Sequence, residues 1–302
     1  MTFTVAKLSE TGAAEVAGLD CSQPLEASTM ERLNRAFLDY PILCVRDQNL
    51  TARQQAAFSR QFGPLETQDR SKYCHQEESD VLILSNDRNP DGSAVGIVDA
   101  GDFWHSDSSH MEEPCRMTLL YAVKNPDRGG DTQFCNMYLV YEALPQALKR
   151  RVDGRNAVHH ISKTLNPRVT ISSERTDAKA YYKEHEKKTA PVRQPMVRTH
   201  PETGRQALYI SPRFTIGIDG MPDSEAQPLL DELFRFFVGA PRFEYRHKWR
   251  DRDLVFWDNR CLNHQGAGGY AFPDVRRMHR TTVRGDKPFY APESDAIRAR
   301  AS

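Results

Sequence analysis

Three side chains in two distant segments of this 302-residue chain are of the types that hold a transition metal. His105 and Asp107 lie in Phe103-Trp104-His105-Ser106-Asp107, and His264 closes Trp257-Asp258-Asn259-Arg260-Cys261-Leu262-Asn263-His264. On an extended strand, residues i and i+2 project from one face. His105 and Asp107 can then reach one ion while Ser106 points away. Two neutral imidazoles and a hard carboxylate suit iron(II), and they leave three coordination positions for a bidentate oxo acid and for oxygen. The basic residues after His264 fit the same chemistry. A 2-oxoglutarate chelated at one end leaves a distal carboxylate, which the planar fork of arginine matches. On a returning strand Arg276 and Arg280 share a face and Arg277 does not. The competing reading of this stretch is a solvated basic turn.

The ligand set is not unique on spacing alone. His-x-acid triplets recur at His75-Gln76-Glu77, His110-Met111-Glu112 and His200-Pro201-Glu202. Pro201 spoils strand geometry beside His200, and His75 lies in an acidic, exposed-looking stretch. His110 is the serious rival, five residues beyond His105. Phe103 and Trp104 favour His105, because they mark a strand entering a core. A lone histidine near a tryptophan, as His264 is, more often belongs to a hydrogen-bonded core.

The elements around these segments are short. A helix is expected over 28–39, capped by Ser28 or Thr29, with Met30, Leu33, Ala36 and Phe37 on one face. A second runs from a Thr51 cap to Gln61 and ends at Gly63-Pro64. Further helices are expected over Met137–Arg150 and, from a Ser224/Gln227 capping box, to about Val238. Strands are expected at 41–45, 81–84, 103–107, 117–121, 132–135, 243–249, 254–257 and 280–283. Val197–His200 and Ala207–Ile210 flank a Pro201-Glu202-Thr203-Gly204 turn and form a hairpin. Residues 165–190 are polar, weakly periodic, and read as a mobile surface excursion. No repeat or linker divides the chain. Many short strands with a few helices predict a mainly β fold with flanking helices and a sandwich or jelly-roll core.

Bulk composition narrows the function classes. Lys and Arg number 41, as do Asp and Glu, so no electrostatic footprint for nucleic acid or an anionic membrane exists. There is no signal-peptide pattern and no apolar run long enough to span a bilayer. The six cysteines form no CxxC pair, as expected of reduced thiols in a cytoplasmic protein.

Several strings resemble the taurine/2,4-dichlorophenoxyacetate dioxygenase family over residues 8 to 290. They include Trp104-His105-Ser106-Asp107-Ser108-Ser109, Gly129-Gly130-Asp131-Thr132, Trp257-Asp258-Asn259-Arg260-Cys261, Met278-His279-Arg280 and Gly285-Asp286-Lys287-Pro288-Phe289. Arg46-Asp47-Gln48, Phe62-Gly63-Pro64-Leu65 and Val197-Arg198-Thr199-His200-Pro201 are similar too. The resemblance implies one catalytic domain over 1–302, built on a double-stranded β-helix (a cupin-like jelly roll), with a lid insertion near 165–190. It implies iron(II) held by His105, Asp107 and His264, and 2-oxoglutarate anchored by Thr132 and Arg276, with O2 as the second cosubstrate. Arg280 matches the arginine that faces an anionic substrate, with Ser108, His110 and His200 as further substrate contacts, although a hairpin-surface histidine is the plainer reading of His200. The histidine that meets the sulfonate in taurine enzymes falls near Gln68 here, which argues against taurine and for the aryloxyalkanoate-cleaving branch. The implied reaction hydroxylates a small anionic substrate next to a heteroatom, releasing succinate and CO2. Asp107 fills the ligand position that related halogenases leave for chloride. A homo-oligomer is the family expectation. Two alternatives remain: an alkylsulfonate or alkyl sulfate dioxygenase, and a non-enzymatic cupin-like metal-binding protein.

Overall fold

Two strands with no polar face set the architecture. Ile42–Val45 and Leu254–Asp258 are buried at every position, which requires cover on both sides. In the computed structural model, which describes residues 3–66, 71–98, 101–162 and 189–292, that cover comes from two separate cores. Leu43, Val45, Leu254 and Phe256 pack with Leu33, Phe37, Phe58 and Phe62 under two helices. Their neighbours Ile42, Cys44, Val255 and Trp257 pack with Phe134, Met137, Leu262 and Met278 between the sheets. Alternate side chains thus enter opposite cores, as the two-residue period of a strand dictates.

The elements run β1 (Thr4–Ser9), β2 (Ala13–Ala17), α1 (Ala27–Asp39), β3 (Ile42–Val45), α2 (Ala52–Arg60), β4 (Cys74–His75), β5 (Glu78–Ser85) and β6 (Met117–Lys124). Next come β7 (Thr132–Asn136), α3 (Met137–Ala143), α4 (Gln146–Val152), β8 (Asn156–His159), β9 (Val192–Pro195), β10 (Val197–Thr199) and β11 (Gln206–Leu208). The chain closes with β12 (Thr215–Ile218), α5 (Asp223–Phe237), β13 (Glu244–His247), β14 (Leu254–Asp258), β15 (Leu262–Gly266) and β16 (Arg277–Val283). One sheet has the order β1-β2-β3-β14-β6-β16-β5-β4, and smaller sheets have the orders β13-β7-β15, β12-β8-β9 and β10-β11. All pairings are antiparallel except β2 with β3. The core is the expected jelly roll, with flanking helices. Among the described residues no helix is long and apolar enough to cross a membrane, and all six cysteines are free.

Several local expectations need correction. Residues 103–107 are not a strand. Only His105 bridges to β15, because Ser106 Oγ and the Asp107 N–H bond to Asn259 instead of to a ladder. The helix expected over 137–150 is two helices, α3 and α4, separated at Leu144-Pro145. A residue before proline is pushed out of the helical region, and Leu144 sits at ψ 135°. Neither Ser28 nor Thr29 caps α1, whose N-cap is Glu26. Ser224 does not cap α5 either; Pro222 precedes the helix, and Gln227 Nε2 donates to the Ile216 carbonyl. Thr51 does form the capping box with Gln54 at α2. The lid expected near 165–190 falls almost wholly outside the described residues, as does Gln68.

Candidate active site

The ligand-type atoms of His105, Asp107 and His264 lie within 4.8 Å of one another, and all three residues are buried. His105 Nε2 is 3.4 Å from Asp107 Oδ1, and His264 Nε2 is 3.6 Å from Asp107 Oδ2. β15 carries His264 to this point. Its backbone exchanges two hydrogen bonds with His105, at 3.0 and 2.7 Å, which sets the two ring centroids 4.2 Å apart. The Phe103 carbonyl stands 2.6 Å from His105 Nδ1. That contact places the ring proton on Nδ1 and leaves the Nε2 lone pair for a metal. His264 is clamped by the rings of Trp257 and Phe134, at 4.7 and 6.1 Å. Gly101, at φ +87°, passes over the His105 ring, where a Cβ would meet Cε1 at 3.2 Å and Nε2 at 3.8 Å. A side chain there would crowd the metal-facing edge.

Charge completes the fit. Burial, assisted by His105, pushes the His264 imidazole down to about 3, so it is neutral and able to ligate. Burial raises the Asp107 carboxyl, but His264, His105 and Arg280 outweigh it and hold the group well below the usual carboxylate range. Two imidazoles and an ionised carboxylate make the donor set for iron(II).

The two residues expected to hold the cosubstrate meet at Trp249. Arg276 donates from Nε to the Gly130 carbonyl at 3.0 Å, and its guanidinium lies 6.0 Å from the Trp249 ring and 5.9 Å from that of Tyr270. Trp249 Nε1 donates to Thr132 Oγ1 at 3.0 Å, so one indole touches both expected anchors. Gly130 is at φ +73°, and a Cβ there would stand 3.0 Å from Arg276 Cδ. Glycine is what lets the arginine dock. Arg277 turns away to Asp87, at 2.7 Å, as the strand face requires. Arg280 Nη1 stands 3.7 Å from Asp107 Oδ1.

The remaining expected residues divide. Ser108, at φ +55°, places Oγ 3.5 Å from Glu66 Oε2 on the Asp107 side. His110 is not a ligand; its ring packs 4.7 Å from Phe214, which lies 6.0 Å from the His105 ring. His75 packs on His279 at 5.2 Å. The surface reading of His200 needs correction. The residue is buried, Nε2 lies 3.1 Å from Asp258 Oδ2, and Nδ1 accepts the N–H groups of Glu202 and Thr203. Sequence reasoning missed Glu66, Trp249 and Phe214. It quoted Asn259 without giving it a role, and its place between Asp258 and Arg260 was the available signal.

Among the described residues one other group has ligand-like spacing, Cys44, His247 and Asp253. It reads as an internal ion-pair network. Arg46 Nη1 already lies 2.7 Å from Asp253 Oδ2, His247 Nε2 shares that oxygen at 3.2 Å, and burial pushes the Cys44 thiol up to about 12.

Three protein ligands leave positions for a chelating cosubstrate, and the arginine docked nearby carries the charge that such a cosubstrate needs. That combination defines an iron(II)- and 2-oxoglutarate-dependent dioxygenase. The model of the family described as "Taurine catabolism dioxygenase TauD, TfdA family" matches residues 4–282. The chain is 35% identical, over 283 residues, to an alpha-ketoglutarate-dependent 2,4-dichlorophenoxyacetate dioxygenase of Cupriavidus pinatubonensis, covering 91% of this chain and 95% of that one. It is 34% identical to an (S)-phenoxypropionate/alpha-ketoglutarate-dioxygenase of Sphingobium herbicidovorans, over 94% of this chain and 96% of the relative. The crystal structure of AAD-2 in complex with Mn(II) and N-oxalylglycine superposes with a TM-score of 0.78 at 30% identity, over 96% of this chain and all of that one. The chain belongs to the TauD/TfdA family.

Proposed function

We propose that this dioxygenase hydroxylates a small aryloxyalkanoate at the carbon beside its ether oxygen and so cleaves the ether. The observation that carries the proposal is the 3.7 Å approach of Arg280 Nη1 to Asp107 Oδ1. It sets a cation for a substrate anion at the edge of the metal ligands, separate from the arginine docked on Gly130. The relatives named for phenoxy acids at 34 and 35% identity support the same substrate class.

On this reading His105, Asp107 and His264 hold iron(II). Arg276 and Thr132 hold the distal carboxylate of 2-oxoglutarate. The bound iron, when present, couples oxidative decarboxylation of 2-oxoglutarate to succinate and CO2 with oxidation of a substrate C–H bond. The chain itself supplies placement. Arg280 fixes the substrate carboxylate, so that the carbon next to it faces the triad. Phe214 and His110 line the same side as His105. A hydroxyl placed on the ether carbon makes a hemiacetal, which collapses to a phenol and a carbonyl acid.

The test is a panel of aryloxyacetates, aryloxypropionates, alkylsulfonates and alkyl sulfates, scored by succinate release with iron(II), 2-oxoglutarate and O2. Phenol release from aryloxy acids at a rate matching succinate is the expected result. Turnover of sulfonates or sulfates alone would overturn the substrate class. A visible charge-transfer band on anaerobic mixing with iron(II) and 2-oxoglutarate checks the metal centre independently.

A further inference from the structure

Behind Asp107 lies a closed chain of hydrogen bonds whose proton directions are all determined. Asn259 Oδ1 lies 3.1 Å from Trp257 Nε1 and 3.3 Å from the Asp107 backbone N. Both of those groups can only donate, so this end of the amide is the oxygen. The other end, Nδ2, must donate, and it does so to Thr118 Oγ1 at 2.9 Å and Cys115 Sγ at 3.3 Å. With one lone pair of Thr118 occupied in this way, its single hydroxyl proton goes to Asp107 Oδ2 at 2.7 Å. Ser106, between the two expected ligands, ties its Oγ to the Asn259 carbonyl at 2.6 Å. Thr118 and Asn259 are fully buried, so no water competes for these groups.

We propose that Thr118, held by Asn259, is a positioning residue that orients the Asp107 carboxylate between His105 and His264 for ligation. The proposal rests on Asp107 being a metal ligand. The Thr118 proton occupies Oδ2 and fixes the plane of the carboxylate. Oδ1 then stands 3.4 Å from His105 Nε2 and 3.7 Å from Arg280, and Oδ2 stands 3.6 Å from His264 Nε2. Apart from the single bridge of His105 to β15, residues 103–109 have no ladder to hold them, and these hydrogen bonds fix the Asp107 side chain instead. Without the hydroxyl, the Asp107 carboxylate is free to swing, and the Asn259 amide keeps only the Cys115 sulfur as acceptor.

The experiment measures equilibrium Mn(II) binding to the metal-free full-length protein, by the signal of free Mn(II) in electron paramagnetic resonance, together with the visible spectrum of the Co(II)-loaded protein. Thr118→Val keeps the β-branched shape and removes the donor. It is expected to weaken Mn(II) binding by roughly 10- to 100-fold, the usual effect of removing an outer-shell partner, and to alter the Co(II) bands. Thr118→Ser retains the hydroxyl and restores affinity to within about threefold. A Thr118→Val protein that binds Mn(II) as the wild type does, with the same Co(II) spectrum, would overturn the proposal whatever its melting temperature. If Thr118→Val does not fold, Thr118→Cys replaces it. The weaker thiol donor is expected to give affinity below that of Thr118→Ser, and equal affinity overturns the proposal. Wild-type protein that takes up no Mn(II) would overturn the metal centre and this proposal with it, and only that outcome touches the first.

Discussion

The Arg280 guanidinium stands 3.7 Å from the Asp107 carboxylate, whereas the Arg276 guanidinium, four residues earlier, lies over Trp249. One strand and the residue before it thus hold two cations in two different surroundings. Replacing Arg280 with Leu is expected to raise the substrate KM by roughly 10- to 100-fold, the loss of about 1.4 to 2.8 kcal/mol of binding. The KM for 2-oxoglutarate should change far less. Initial rates with each component varied in turn measure both, and equal loss of the two would remove the division of roles.

Arg276 is expected to behave in the opposite way. Arg276→Leu leaves the distal carboxylate of the cosubstrate without its partner, which costs about 2 to 4 kcal/mol and raises the 2-oxoglutarate KM by roughly 30- to 1,000-fold. Gly130→Ala should act in the same direction without touching the arginine. Its φ of +73° strains any side chain, and a methyl group 3.0 Å from Arg276 Cδ would force the arginine to shift. A Gly130→Ala enzyme with the wild-type 2-oxoglutarate KM would contradict this account of the pocket.

Metal removal should be reversible and confined to the triad. Dialysis against a chelator is expected to abolish succinate release, and iron(II) to restore it. Asp107→Ala and His264→Ala should each reduce Mn(II) affinity beyond detection, while Cys44→Ser should not, because Asp253 is already bonded to Arg46 and His247. Calorimetric titration of the metal-free variants separates these outcomes.

Acid should destabilise the metal-free protein through histidines that are not ligands. Burial pushes His110 and His279 down to about 4, from 6.5. Arg213 and His160 add to the effect at His110, and His75 and Arg277 at His279. Between those two values the unfolded chain holds a proton that the folded chain does not, so stability rises with pH. The contribution is complete above pH 6.5 and is lost as pH falls towards 4, by about 1.4 kcal/mol per pH unit for each group. Thermal unfolding followed across that range should show the slope, and His279→Gln should flatten it. An unchanged slope in that variant would show that His279 is not one of the groups responsible.

The residues that carry charge and chemistry were legible in the chain. His105, Asp107, His264 and Arg276 were legible as candidates by residue type, but three other His-x-acid triplets competed on spacing, and the family resemblance was what separated them. The buried runs at 42–45 and 254–258 were equally plain, since only strands covered on both faces omit polar residues. His105-Ser106-Asp107 was placed on the wrong element. The i, i+2 spacing suggested a strand, but hydrogen bonds to Asn259 hold a loop there. Pro145 was readable and was overlooked.

What the tertiary structure alone decided are relationships between residues that are ordinary in isolation. Nothing in the chain marks Thr118 as different from any other strand threonine, or shows that Asn259, 141 residues away, delivers its amide to that hydroxyl. His200 looks like a hairpin histidine until β10 and the end of β14 bury it against the Asp258 carboxylate, 3.1 Å from Nε2. Trp249 joins Thr132 to Arg276 only once β7 and β13 pair. Ligand types are a property of single residues and survive in the sequence. The direction of a proton in a buried network belongs to partners that folding brings together, and exists only in the folded chain.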